Sequence, residues 1–132
     1  MESMPAGTGI VMVDHGSVRP EANEVVEMMA ALYKQITGTA IVEPAHMELA
    51  QPSLEEAIDR CVAQGAERVV VSLYFLAPGR HGKTDIPRMA AEAASRHAGL
   101  EVVVTEPMGL DERLVEVLHE RVLAAAGPGV VR

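Results

Sequence analysis

Cysteine is nearly absent. Cys61 stands alone, so the chain can form no internal disulfide and no cysteine-bound cluster or zinc finger. It lies on the apolar face of an expected helix and reads as a small core residue; a reducing compartment suits it. Tryptophan is missing, and Tyr33, Tyr74 and Phe75 are the only aromatics. A planar ligand would therefore rest mostly on aliphatic, methionine and polar groups. No apolar run approaches the roughly 18 residues of a membrane span. Positive charge is also short: 11 Lys and Arg face 19 Asp and Glu, a net charge of −8. Generic nucleic-acid binding needs a basic footprint and is disfavoured. There is no GxxxxGK[ST] or GxGxxG phosphate loop and no G-x-S-x-G elbow. Nothing points to a serine or cysteine nucleophile.

What is present is one domain of ordinary composition, 132 residues and 48% hydrophobic. Residues 1–8 carry no signal-like apolar core and read as a flexible tail. A domain over 9–126 follows, then a second flexible tail over 127–132 after the break at Gly127-Pro128-Gly129. Inside the domain, apolar runs alternate with helical periodicity. Strands are expected at Ile10 to Asp14, Ala40 to Ala45, Val69 to Leu76 and Leu100 to Thr105. Helices follow each. Pro20 opens the first, and Ser53 with Glu56 forms a capping box for the second. The third carries Ile86, Met89 and Ala90 on one face. Asp111 caps the fourth, which carries Leu114, Val115, Leu118 and Val122. The run Val69 to Leu76 is continuous, which suits a central parallel strand covered on both faces. Strand–helix repetition predicts an α/β fold with a four-stranded parallel sheet and helices on both faces.

In such a fold ligands bind where the strands end. Three of five histidines fall there: His15, His46 and His81. His97 and His119 fall late in helices, where the dipole alone explains them. Imidazole ligates borderline divalent metals and exchanges protons near neutral pH. His15 and His81 are read as the metal-handling and proton-accepting pair, facing one cleft. Glu48, in the loop after the second strand, adds charge or relays a proton. His46 is read as a substrate contact, a third ligand or a group behind the ligands. Asp85, four residues after His81, orients that imidazole if the helix has begun by then. Ser17, Arg19, Arg80, Lys83 and Arg88 cluster around the two histidine loops. On so acidic a chain that concentration points to an anionic ligand. Pro78 and Gly79 turn the chain.

These motifs resemble a known family. His15-Gly16-Ser17, Val42-Glu43-Pro44-Ala45, Glu48-Leu49-Ala50 with Pro52-Ser53, Phe75-Leu76, Pro78-Gly79-Arg80-His81 and Asp85-Ile86-Pro87 are similar, in this order and spacing, to the short class II tetrapyrrole chelatases. These are sirohydrochlorin cobaltochelatases and ferrochelatases of the CbiX/SirB type. The likeness runs from about Ile10 to Val122. It implies a flavodoxin-like domain and a lyase that inserts a divalent metal, Fe2+ or Co2+, into sirohydrochlorin, releasing two protons. It implies His15 and His81 on the metal, Glu48 beside them, and a homodimer, because short members resemble one lobe of longer chelatases. Asp14 and Val18 depart from the usual Gly before and Arg after the HGS triplet; Arg19 sits one position later. Ala45-His46-Met47-Glu48 resembles the plastid ferrochelatase branch, which favours iron in sirohaem synthesis over cobalt in cobalamin synthesis. The cysteine-rich C-terminal segment of some plastid members is absent, so no iron–sulfur cluster is expected. A bacterial cytoplasm or a plastid stroma fits equally. A non-catalytic metal-binding or delivery protein is the rival reading from another class.

Overall fold

The structure is a computed structural model that describes residues 1–77 and 79–127, with only the backbone of 80–82. The turn expected at Pro78 and most of the tail expected over 127–132 lie outside the described residues. Eight elements alternate: β1 (Thr8–Asp14), α1 (Pro20–Thr37), β2 (Ile41–His46), α2 (Leu54–Ala63), β3 (Arg68–Leu73), α3 (Gly79–Ser95), β4 (Glu101–Val104) and α4 (Glu112–Ala125). The sheet is parallel in the order β2-β1-β3-β4. The order reverses between β1 and β3, so the open crevice lies beyond their ends.

Local chemistry explains most boundaries. Pro20 starts α1 without a side-chain cap, and Gly38 ends it in the left-handed region, its N–H donating to the Lys34 carbonyl. At α2 the Ser53 hydroxyl accepts the Glu56 N–H at 3.1 Å. Asp111 caps α4 by accepting the Arg113 N–H. The bonds to Arg113 hold the Asp111 carboxyl well below its usual range.

The layers are unequal. α2 and α3 cover one face, burying Val11, Val13, Leu54, Ile58, Val69, Val71 and Ile86 in a continuous core. α1 covers the other face over β1 and β2, burying Ile10, Met12, Val26 and Val42. Cys61 is fully buried in the first core, and burial pushes its thiol up to about 12.

Several expectations need correction. β3 stops at Leu73, not Leu76, and its burial alternates: Val69, Val71 and Leu73 are buried while Val70 and Ser72 are not. Its second face is only partly covered, with Val70 packed at the margin of the second core. α3 starts at Gly79 and runs through Pro87, so position 81 lies in the first turn of a helix rather than in a loop. The N-terminal segment is not wholly a tail. Thr8 is buried in β1, Met4 packs on the second core, and the Gly7 carbonyl accepts the N–H groups of Glu67 and Arg68. His97 lies past the end of α3, where its Nε2 meets Asp59 at 2.7 Å.

Candidate functional site

The connection from β1 to α1 is built to hold one shape. The Asn23 side chain, itself buried, clasps Ser17 from both sides: its amide donates to the Ser17 carbonyl at 2.8 Å and its oxygen accepts the Ser17 N–H at 3.0 Å. The Ser17 hydroxyl accepts the Arg19 N–H at 3.0 Å. Gly16 has φ +88°, and a Cβ there would collide with the Glu48 carbonyl oxygen, so only glycine fits. The Met47 N–H donates to the Asp14 carbonyl and the Glu48 N–H to the His15 carbonyl. The loops after β1 and β2 are thus sewn together by their backbones, as parallel neighbours in register permit.

His15 emerges from this frame exposed to solvent, its ring stacked on Phe75 at a centroid distance of 4.4 Å and 23° between planes. Phe75 is buried beyond the end of β3. The stack fixes one face of the imidazole and joins the first and third connections at the switch point. Glu48 is exposed in the adjoining loop, followed by Leu49 in the left-handed region at φ 72°. A non-glycine residue there stores about 1–3 kcal/mol of strain, a feature that clusters at ligand sites.

His46 is not where a substrate contact would be. It is fully buried, so no face of it is open to a ligand. Its Nδ1 lies 2.7 Å from Asp14 Oδ1, and its Nε2 lies 3.6 Å from Glu27 Oε2 with no hydrogen-bond partner among the described residues. It is a strut between the ends of β1 and β2. This also explains Asp14 beside His15: the carboxylate satisfies a buried imidazole that a glycine would leave unpaired.

The basic residues divide. Arg19 and Lys83 are exposed. Lys83 lines a hollow with Thr105, Glu106 and Pro107 at the end of β4. Arg88 lies 3.7 Å from Asp85 and 3.2 Å from Glu92 along α3. The side chains of Arg80 and His81 lie outside the described residues; their positions are in the first turn of α3. Position 85 lies one helical turn beyond 81, as the orienting role of Asp85 requires. Among the described residues no three His, Cys, Asp or Glu side chains converge as a metal cluster.

Sequence reasoning missed the apolar rim. Val18, Leu49 and Leu76 are exposed on three different connections at the carboxyl edge. Each looked like an ordinary loop residue, and only the fold brings the three to one edge. Asn23 and Phe75 were also missed as supports; the signal was an Asn facing the core side of α1 and an aromatic near the carboxyl end of the expected strand.

A family model described as CbiX matches residues 9–125. A chloroplastic sirohydrochlorin ferrochelatase from Arabidopsis thaliana is 50% identical over 86% of this chain and 51% of its own length, so the chain spans about half of that relative. A sirohydrochlorin cobaltochelatase from Methanothermobacter thermautotrophicus is 34% identical over 89% of this chain and 92% of its own. Among solved structures, the sirohydrochlorin chelatase SirB from Bacillus subtilis subspecies spizizenii, in complex with cobalt, superposes with a TM-score of 0.83 at 30% identity, covering 90% of this chain and 51% of that one. With the sheet order, the His15 connection and these matches agreeing, the chain belongs to the CbiX family.

Proposed function

We propose that the protein is a sirohydrochlorin chelatase, a lyase that inserts ferrous iron into the tetrapyrrole. The observation that carries the reading is His15: exposed, stacked on Phe75, and held on a rigid connection at the switch point. Metal insertion needs an ion held with open coordination positions and two pyrrole protons removed. His15, with His81 from the start of α3, presents the ion and takes those protons. Glu48 adds negative charge beside them. Val18, Leu49 and Leu76 offer the flat macrocycle an apolar rest. Ser17, Arg19, Arg80, Lys83 and Arg88 meet its carboxylates, arginine bidentately. Arg88 must trade Asp85 and Glu92 for substrate to do so. The metal is substrate, and no further cofactor is invoked. Iron is favoured over cobalt because the plant relative at 50% identity is named a ferrochelatase.

No helix among the described residues is long and apolar enough to cross a membrane. A reducing compartment, bacterial cytoplasm or plastid stroma, fits the lone buried thiol. The working unit is a homodimer, since the chain matches about half of two longer relatives.

Mixing metal-free protein with sirohydrochlorin and Fe2+ or Co2+ anaerobically tests the reading through the visible spectrum. Insertion should run well above the protein-free rate, faster with Fe2+. A rate equal to the blank, with tight metal binding, would instead indicate a metal-delivery protein. His15→Ala and His81→Ala should each lose about 10²–10⁴-fold, the usual span for a positioned acid–base group. Full activity in both would remove these residues from the chemistry.

A further inference from the structure

Leu49 carries two costs at once. Its φ is 72°, and among the described residues it is the only one besides glycine with a positive φ. A leucine is strained there, where glycine or asparagine would be at ease. Its side chain is also 63% exposed, so the core gains little from it. The loop that presents it is not loose. The Met47 N–H donates to the Asp14 carbonyl, the Glu48 N–H to the His15 carbonyl and the His46 N–H to the Pro52 carbonyl. Met47 packs on the first core. Strain held by so fixed a frame points to a contact outside the fold.

The sheet order says where that contact lies. β2 and β3 flank β1, so the connections bearing Leu49 and Leu76 run on either side of the one bearing His15. Adjacent strands are about 4.8 Å apart, so the two leucines straddle the histidine connection over roughly 10 Å. Leu76 is 61% exposed, and its carbonyl accepts the Gly109 N–H at 2.9 Å. Between them His15 has little room to yield, because its ring is backed by Phe75.

A flat ring with apolar faces, brought to this edge, is drawn onto whatever apolar or aromatic surface it meets. Settling on His15 would close the space the ion needs. An ion such as zinc takes an imidazole nitrogen at about 2.0–2.1 Å and needs a similar distance to the ring nitrogens, so the macrocycle must stand about 4 Å from that imidazole nitrogen. Leucines on both flanks supply the standoff. Being aliphatic, they carry no lone pair to capture the ion themselves.

We infer that Leu49 and Leu76 are paired spacers that bear the macrocycle and hold it off His15, keeping the place of the ion open. This rests on the chelatase reading above and goes beyond an apolar rest: the leucines set the height of the ring and not only its affinity. The strained backbone at 49 is the consequence of putting a leucine, rather than an easier residue, at that height.

Steady-state chelation by Leu49→Asn, Leu49→Met and Leu76→Ser, beside melting curves and light scattering, tests it. Asparagine relieves the left-handed strain, so Leu49→Asn should melt at or above the wild type. Its kcat at saturating metal and sirohydrochlorin should nonetheless fall about 10²-fold, the scale of a 1 Å misplacement. Leu76→Ser should lose kcat as well. Leu49→Met keeps an apolar chain of similar volume and should restore most of the kcat lost in Leu49→Asn. A raised KM for sirohydrochlorin with kcat unchanged is uniform binding; it would overturn the spacer and leave only an apolar rest. Loss at one leucine but not the other overturns the pairing. A changed molecular mass in Leu49→Asn moves that leucine to a subunit contact and overturns the inference too. A wild type that inserts no metal overturns the chelatase reading itself.

Discussion

The first and third connections leave neighbouring strands, the first carrying His15 and the third leading into the helix whose first turn holds position 81, and they are built on opposite plans. Between β1 and α1 the chain is fastened where it turns: Asn23 holds Ser17, Asp14 holds His46, and Gly16 sits under the Glu48 carbonyl. Between β3 and α3 the chain turns into a helix almost at once. Its guidance comes from elsewhere: the Val13 carbonyl accepts the Tyr74 N–H, and Phe75 and Leu76 accept from Met108 and Gly109. The lesson concerns preorganisation. The His15 side of the site is set by local covalent and hydrogen-bond geometry, whereas the 81 side is set by where a whole helix docks. A misplacement of about 1 Å can cost about 10²-fold in rate, so each plan fails in its own way.

Glycine substitutions should expose the difference most strongly. Gly16→Ala meets both a left-handed φ and the Glu48 carbonyl. It should cost about 3 kcal/mol or more, strain supplying 1–2 and collision the rest, and lower chelatase activity by about 10²-fold. Gly79 also has positive φ, at +63°, but nothing lies within 4 Å of a Cβ there. Gly79→Ala should cost only about 1 kcal/mol. Thermal melts beside the spectral assay measure both, and equal losses in the two variants would remove the contrast.

A milder pair compares hydrogen bonds. Asn23→Ala frees two backbone groups of Ser17 at a half-buried turn and should cost about 1–3 kcal/mol. Thr105→Val removes the hydroxyl that accepts the Leu73 N–H at 3.2 Å and should cost about 1 kcal/mol. The activity of Asn23→Ala should fall further than its stability implies, since His15 rides on that turn. If both variants lose activity only in step with unfolding, the clasp is structural alone.

Much of this was legible in the sequence, and what was not has a physical cause. The strand–helix alternation, the Ser53 cap and the placing of His15 follow from local spacing and side-chain chemistry. The end of β3 does not. Val69 to Leu76 reads as one strand, and it stops at Leu73 because its pairing with β4 ends at Val71 and its pairing with β1 ends at Leu73. The start of α3 is obscured by Gly79, Gly82 and Pro87, all poor helix formers. The His46–Asp14 strut joins residues 32 apart in sequence. His46 therefore looked like a ligand until its burial was known. The exposure of α4 was hidden for another reason: its apolar pattern is normal, and only the fold shows that it has no buried residue.

The smallest expected effect lies at the far end of α3. Arg96 and His97 both bond Asp59 on α2, at 2.8 and 2.7 Å. Burial raises the Asp59 carboxyl, but the bonds from His97 and Arg96 outweigh it and hold the group below its usual range. A carboxylate lowered by folding stabilises above its unfolded pKa, near about 3.9, and that contribution is lost as pH falls through the folded value. The wild type should therefore lose stability below about pH 4 more steeply than Asp59→Asn. The slope should be modest, because Asp59 is 42% exposed and solvent screens the pair. Parallel melting curves for the two proteins from about pH 3 to 6 would show that the clamp contributes nothing. A real difference in slope would show that α3 is steered from its distal end, as the third connection needs and the first does not.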